Sequence, residues 1–335
     1  MIVVTGGAGF IGSNLVAGLN ERGIDDVVVC DVLGTGDKWR NIAKREIADV
    51  IGPDSLFDYL EDHDSAGSSR WGAVDAVFHL GANSSTTETD VDRIVDQNLA
   101  YTLKLWRHCT ERKVRLIYAS SAATYGDGSH GFDDDSSPAA LAALQPLNPY
   151  GWSKHAADRR LTRLAREAGL RPPQWAGLKF FNVYGPNEYH KDDMRSVVAK
   201  AYEQIVETGR VRLFRSHRPD YTDGGQTRDF VHVDDCVAVM LWLLDHPEVN
   251  GLYNMGTGQG RTFADLVGAT FRAMDREPAI DFIDMPAQIR DRYQYFTEAK
   301  MERLRTAGYE APFLSLEDGV TRYVRNFLAT GDRYL

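Results

Sequence analysis

Met1-Ile2-Val3-Val4-Thr5-Gly6-Gly7-Ala8-Gly9-Phe10-Ile11-Gly12 opens the chain and decides how the rest is read. A short apolar run meets a cluster of glycines, and an amphipathic segment follows at once. The glycines satisfy two spacings: Gly7, Gly9 and Gly12 read G-x-G-x-x-G, and Gly6, Gly9 and Gly12 read G-x-x-G-x-x-G. Residues without Cβ allow a tight strand-to-helix turn and the close approach of a pyrophosphate to the free N–H groups of the helix start. Such glycine turns also occur as plain connectors. Here a second apolar run, Asp26 to Cys30, ends in Asp31, where a carboxylate can accept from the ribose hydroxyls of an adenosine. Strand, glycine turn, helix and acidic second strand end together predict a dinucleotide-binding unit.

Outward from that unit, apolar runs and periodic segments alternate. Ile47 and Ala48 mark a third strand, Asp54 to Leu60 a helix, and Asp62 to Arg70 a polar surface loop. Val74 to Leu80 is a buried strand ending in the small residues Gly81 to Ser84. Val91 to Arg112 reads as one long helix, Val114 to Ala119 as the next strand, and Ala176 to Phe181 as another. Gly126 to Gln145 is an acidic loop whose Asp133, Asp134 and Asp135 read as solvated rather than cation-binding. The expected fold is α/β: a doubly wound, Rossmann-like parallel sheet over residues 1–182, with a smaller C-terminal α/β substrate lobe over 183–335. Some segments of that lobe are expected to return to the first domain. It contains a polar loop from Arg215 to Thr227 and late helices over Thr262 to Asp275 and Leu316 to Leu328.

Composition narrows the function. The chain has 335 residues, 43% hydrophobic and 26% charged, with a net charge of -10, which argues against a nucleic-acid surface. Cys30, Cys109 and Cys236 form no paired motif and read as buried small hydrophobes in a reducing cytoplasm. No apolar run reaches membrane-spanning length, and with a strand beginning at Ile2 no secretory leader is expected. The histidines show no ligand spacing, so no metal is expected.

Chemistry concentrates around Tyr150 and Lys154, which share one helical face at i, i+4. Among the other tyrosines none has a lysine four residues on. A phenol, with an ordinary pKa of about 10, serves as a base only when a nearby positive charge favours the phenolate. Lys154 is placed to do this, and Ser121 at a strand end can hydrogen-bond the reacting oxygen. Alone, the pair also reads as a core tyrosine beside a surface lysine. Lys38, just beyond Asp31, is placed to meet a 2′-phosphate and reads equally well as a solvated surface lysine.

These residues together resemble the extended short-chain dehydrogenase/reductase superfamily, whose members act mostly on nucleotide sugars. More narrowly, the chain is similar to the ADP-heptose 6-epimerase family in Met1 to Asn14, Ser84-Ser85-Thr86-Thr87-Glu88, Tyr118 to Gly126, Phe180 to Pro186 with His190-Lys191, Arg228 to Val231, and Arg292 to Gln294 with Phe296-Thr297. The resemblance implies inversion at C6 of ADP-D-glycero-D-manno-heptose through a 6-ketone, supplying heptose for lipopolysaccharide core synthesis. It also implies a homo-oligomer, a pentamer. Tyr150 and Lys191 would be the two acid/base groups, with Ser121 and Lys154 assisting. Gly6, Gly9, Phe10, Ile11, Gly12, Asp31, Val32, Lys38, Leu80, Gly81, Ala82, Asn83, Ser84, Asn98, Lys154 and Val183 would line the cofactor, NADP with NAD as the alternative. Asn182, Asp193, Lys200, Phe214, Ser216, Arg228 and Tyr293 would hold the ADP-sugar. The chain departs from the family at Pro53, where a lysine is expected, and at Val32, where an asparagine is expected. Asp193 and Lys200 replace a serine and a histidine, and the stretch from His217 to Thr227 is longer.

Two other readings compete. Another nucleotide-sugar epimerase or dehydratase shares the scaffold, but dehydratases place an Asp-Glu pair where this chain has Ala122 and Ala123. A non-catalytic dinucleotide sensor is expected to lose Tyr150, Lys154 or Ser121, and all three are present.

Overall fold

The computed structural model describes residues 1–64, 73–167, 169–286, 290 and 293–335. Its strands are β1 (Ile2–Thr5), β2 (Val27–Cys30), β3 (Asp49–Ile51), β4 (Ala76–His79), β5 (Arg115–Ser121), β6 (Trp175–Phe180), β7 (Asn182–Tyr184), β8 (Val211–Phe214), β9 (Thr227–His232), β10 (Gly251–Met255), β11 (Gly260–Thr262) and β12 (Ile280–Ile283). The helices are α1 (Phe10–Glu21), α2 (Leu56–Asp64), α3 (Val91–Ile94), α4 (Tyr101–Arg112), α5 (Pro138–Ala143), α6 (Pro149–Arg166), α7 (Val197–Thr208), α8 (Val233–Asp245), α9 (Phe263–Ala273), α10 (Glu302–Thr306) and α11 (Leu316–Tyr323).

Seven strands form one parallel sheet in the order β10-β6-β5-β4-β1-β2-β3. The order reverses direction of growth at β1, so the carboxyl ends of β1 and β4 open a crevice. Alternate residues feed the two faces, as a pleated strand requires. Val4, Val27 and Val29 join the core beneath α1 and α8, while Val3, Val28 and Leu116 join the core with Leu105 of α4 and Leu161 of α6. Both faces are covered, which is why these strands are continuous apolar runs. A second lobe combines the β11-β9-β7 sheet, the β12-β8 pair and α7, α9 and α11 around a third core that includes Val198, Phe271 and Tyr323. Segments beyond residue 182 return to the large sheet as α8 and β10.

Several boundaries differ from the sequence reading. The third strand lies at Asp49–Ile51, not Ile47–Ala48; Ala48 only leads in, donating to the Val27 carbonyl at 2.8 Å. Asp62 to Asp64 belong to α2, and the remainder of the loop read to Arg70 lies outside the described residues, as does Arg292. The helical run from Val91 to Arg112 is interrupted by a wider π turn at Val95–Ala100. The segment Gly126 to Gln145 contains α5, and its Asp134 is not solvated. That carboxylate is buried and accepts from the Asn254 backbone at 2.8 Å, with burial pushing its pKa up to about 6. The late helices are shorter than read: α9 ends at Ala273, and α11 passes into a π turn at Val324–Leu328. The three cysteines are buried. Among the described residues no helix is long and apolar enough to cross a membrane.

α1 reaches the sheet through close contact with α8. A Cβ on Gly18 would stand 2.6 Å from Cγ1 of Val237 and 3.1 Å from Cδ1 of Leu241. Gly18→Val therefore forces α1 away from α8. We expect a loss of about 1–3 kcal/mol, the usual cost of overpacking, read as a lower midpoint in urea denaturation with unchanged slope.

Candidate functional site

The crevice is a cleft of about 830 Å³ running from the glycine loop across the carboxyl ends of the strands into the second lobe. Its floor is backbone. Gly6 has φ +68°, and a Cβ there would lie 2.6 Å from the Gly81 nitrogen. A Cβ on Gly12 would lie 2.1 Å from the Gly6 carbonyl oxygen. α1 begins at an N-cap glycine, Gly9, with no side-chain cap and no acidic residue in its first turn. Its leading N–H groups therefore face the cleft free of protein acceptors, a cradle fitted to an anionic group such as a pyrophosphate.

At the end of β2, Asp31 is already engaged. One carboxylate oxygen accepts from the Ala8 backbone at 3.0 Å, and the other from Val32 N at 2.7 Å and Lys38 Nζ at 2.6 Å. Lys38 is thus an ion-pair partner of Asp31 and lines the cleft, rather than a free surface lysine. Val32 points outward, 64% exposed, and does not line the cleft.

Leu80, Gly81, Ala82 and Ser84 form the wall beyond β4. Asn83 and Asn98 stand behind it. Asn98 is fully buried in the π turn, accepts from Asn83 N at 2.8 Å, and donates to the Asn83 carbonyl and to Ser153 Oγ at 2.9 and 3.1 Å. It braces the wall against α6 instead of forming it. A second brace runs from the Gly81 backbone to Thr5 Oγ1, His79 and Thr102. Burial, with Lys154 adding to it, pulls the His79 pKa down to about 3, so this ring is neutral.

α6 starts with Asn148 accepting from Gly151 N at 2.8 Å and Pro149 in the first turn, a strong helix start. A Cβ on Gly151 would meet the Ala123 carbonyl at 2.6 Å, so this glycine lets the helix press against the end of β5. That contact brings Tyr150 beside Ser121, and both line the cleft. Lys154 is buried and donates to the Ala119 carbonyl at 2.8 Å. Burial lowers its pKa to about 8, and Asp158 opposes. The phenol of Tyr150 is raised by burial, with the Ser121 hydrogen bond opposing and Asp158 adding to the rise. In the protein alone, loss of solvation is the largest influence on this phenol.

Lys191 enters the same cleft from the opposite lobe, on the 3-10 turn Tyr189–Met194. Its ammonium lies 5.3 Å from the Phe10 ring centroid, and burial lowers its pKa, with Glu188 opposing. Three buried asparagines tie this segment to the dinucleotide loop. Asn14 donates to the Pro186 carbonyl, Asn41 to the carbonyls of Ala8 and Asn187, and Asn187 to Ser13 Oγ, each within 3.0 Å. Asn187 and Asp192 hold the left-handed φ values +71° and +45°, uncommon outside glycine.

Of the residues expected on the sugar side, Asn182, Asp193, Arg228 and Tyr293 line the cleft, as does Val183, expected on the cofactor side. Arg228 is 8% exposed, and its guanidinium lies 5.6 and 5.3 Å from the ring centroids of Phe263 and Tyr293. Lys200, Phe214 and Ser216 are not in the wall: Lys200 donates to the Asp193 carbonyl, Phe214 packs edge-on to Tyr293, and Ser216 donates to the Arg218 carbonyl. His190, Met194, Arg195 and Phe263 line the cleft without having been singled out for it. His190 was legible as the neighbour of Lys191; the others carry no pattern in sequence.

Residues 2–256 match the profile of the NAD dependent epimerase/dehydratase family. The chain is 55% identical over 335 residues to an ADP-L-glycero-D-manno-heptose-6-epimerase of Nitratidesulfovibrio vulgaris (strain DP4), covering 100% of both chains. It is 48% identical over 341 residues to the protein of that name from Fusobacterium nucleatum subsp. nucleatum, again covering 100% of both. The crystal structure of the Helicobacter pylori ADP-L-glycero-D-manno-heptose-6-epimerase superposes with a TM-score of 0.78 at 26% identity, covering 98% of this chain and 96% of that one.

The glycine floor carries a direct expectation. In Gly12→Ala the new methyl group displaces the Gly6 carbonyl, and dinucleotide affinity falls roughly tenfold or more, the equivalent of a modest overpacking cost. Isothermal titration with NAD and NADP measures it.

Proposed function

The chain belongs to the NAD-dependent epimerase/dehydratase family, and on that premise we propose that it inverts C6 of ADP-D-glycero-D-manno-heptose to give the L-glycero epimer, with NADP bound. The observation that carries this reading is that Tyr150 and Lys191, from two lobes, line one cleft whose floor is the glycine loop. The product supplies heptose for lipopolysaccharide core synthesis. The first-turn N–H groups of α1 hold the cofactor's pyrophosphate, Asp31 and Lys38 its adenosine ribose, and Lys154 its nicotinamide end. Bound there, the nicotinamide supplies a reversible two-electron acceptor for the C–H bond at C6.

The protein's own part is proton handling and orientation. Tyr150, its phenol kept protonated by burial, donates to the C6 oxygen as the ketone is reduced and takes the proton back in the reverse direction. Ser121, beside that phenol in the cleft, steadies the same oxygen. Lys191, its ammonium destabilised by burial, releases its proton more readily than an exposed lysine and serves the other face of C6. Arg228 offers a planar cation to the ADP diphosphate. Two fixed groups let the 6-ketone turn between them while the diphosphate stays anchored.

NMR of the purified protein with ADP-D-glycero-D-manno-heptose tests the reading: the C6 configuration inverts with no net change in cofactor absorbance. Retention of the starting epimer overturns it. Tyr150→Phe and Lys191→Ala each lower the rate by roughly 10²–10⁴-fold while cofactor binding persists. Single-turnover assays from the two epimers show each variant impaired mainly in a different half-reaction.

The cofactor choice has its own test. Lys38→Ala leaves the Asp31 carboxylate unopposed beside a 2′-phosphate. NADP affinity then falls roughly tenfold more than NAD affinity; equal losses in titration assign the site to NAD.

A further inference from the structure

Beneath Tyr150 and Lys154 lies a second ion pair, shut off from solvent, that the scheme above leaves without a part. Asp158 follows Lys154 by four residues on α6, so the two share one face. Its carboxylate meets Lys179 Nζ of β6 at 2.7 Å, with the two side chains 0% and 1% exposed. The same carboxylate accepts from Ser120 Oγ at 2.7 Å and Tyr118 OH at 3.0 Å. Lys179 has a second bond, to Thr124 Oγ1 at 2.8 Å, and lies 4.9 Å from the Tyr125 ring centroid.

One short stretch of β5 therefore serves both pairs. Tyr118 and Ser120 face Asp158, the Ala119 carbonyl takes Lys154, and Ser121 meets Tyr150. Desolvating an ion pair costs about as much as its attraction returns, so such a pair is a weak device for stability alone.

We propose that Asp158, balanced against Lys179, is a positioning residue for the acid/base pair: its charge holds Lys154 as an ammonium beside the reacting phenol, and Lys179 limits that pull. The proposal rests on the reading of Tyr150 as an acid/base group. The titratable and charged groups packed around Lys154 and Asp158 are Tyr150 and His155 from α6, His79 from β4, Tyr118 from β5, Tyr125 from the turn after β5, and Lys179 from β6. Burial holds His79 and His155 at about 3 and about 4, and raises the three phenols. Near neutral pH the charge that acts on Lys154 from within this group is thus that of Asp158, whose carboxylate is shared with Lys179. Lys154 loses its proton as pH rises through about 8, so its support of the phenolate is present below that pH and lost above it.

The test reads Lys154 itself. Protein labelled with ¹³Cε-lysine is titrated by NMR as isolated, the Lys154 signal being assigned by its loss in Lys154→Arg. In Asp158→Asn the midpoint falls by about one pH unit, and in Lys179→Met it rises by a similar amount, the scale for a neighbouring buried charge. In the double variant, which removes both members of the Asp158–Lys179 pair, it falls by less than in Asp158→Asn. Each variant has its own sign, so any one that folds is informative. A midpoint that stays at the native value in the folded variants, or moves the same way in both single variants, overturns the proposal. The basic limb of the epimerisation profile is expected to move with the Lys154 midpoint. If the native protein does not epimerise ADP-heptose, that failure falls on the proposed function, and the NMR titration still decides the role of Asp158.

Discussion

The structure depends on a backbone-to-backbone contact that only glycine permits. Gly6, Gly12 and Gly81 bring the carboxyl ends of β1 and β4 and the start of α1 so close that a methyl group on Gly6 or Gly12 would overlap main-chain atoms. The contact leaves the helix start uncapped and open to the cleft. It also aligns the wall from Leu80 to Ser84 with the glycine loop. The cost is a set of free N–H groups, and an anionic ligand is what offsets it.

Around this floor the site is built by burying polar groups and then satisfying them. Lys154, Asn98, His79, Asp158 and Lys179 are nearly or fully shielded from water, and each has a specific partner. Burial pushes acids and bases in opposite directions, raising the Tyr150 phenol and lowering the ammonium groups of Lys154 and Lys191. The titration of these groups is thereby moved by environment.

The second lobe contributes by reach. Lys191 is brought to the cleft by a turn whose backbone enters left-handed conformations at Asn187 and Asp192. Such conformations persist where surrounding contacts over-determine them. At Asn187, Asn14 and Asn41 provide those contacts from the side of α1 and the glycine loop. The segment that carries Lys191 is thus tied to α1 and the glycine loop.

The dinucleotide unit, the alternation of strands and helices, and the Tyr150–Lys154 face were legible in the sequence because each depends on neighbours a few residues apart. Lys191 was legible only through resemblance, since a loop lysine has no periodic signature. What the chain order could not express is which distant residues meet. Asn98 was read as cofactor wall and proves to be a brace, and Asp134 was read as solvated and proves to be buried. Asp158 and Lys179 are 21 residues apart, and Asn41 and Asn187 are 146 apart. Their pairing follows from the strand order β6-β5-β4-β1 and from how the second lobe folds back on α1. Local periodicity carries the energy of a single element, whereas the burial that perturbs these side chains arises only when several elements pack together.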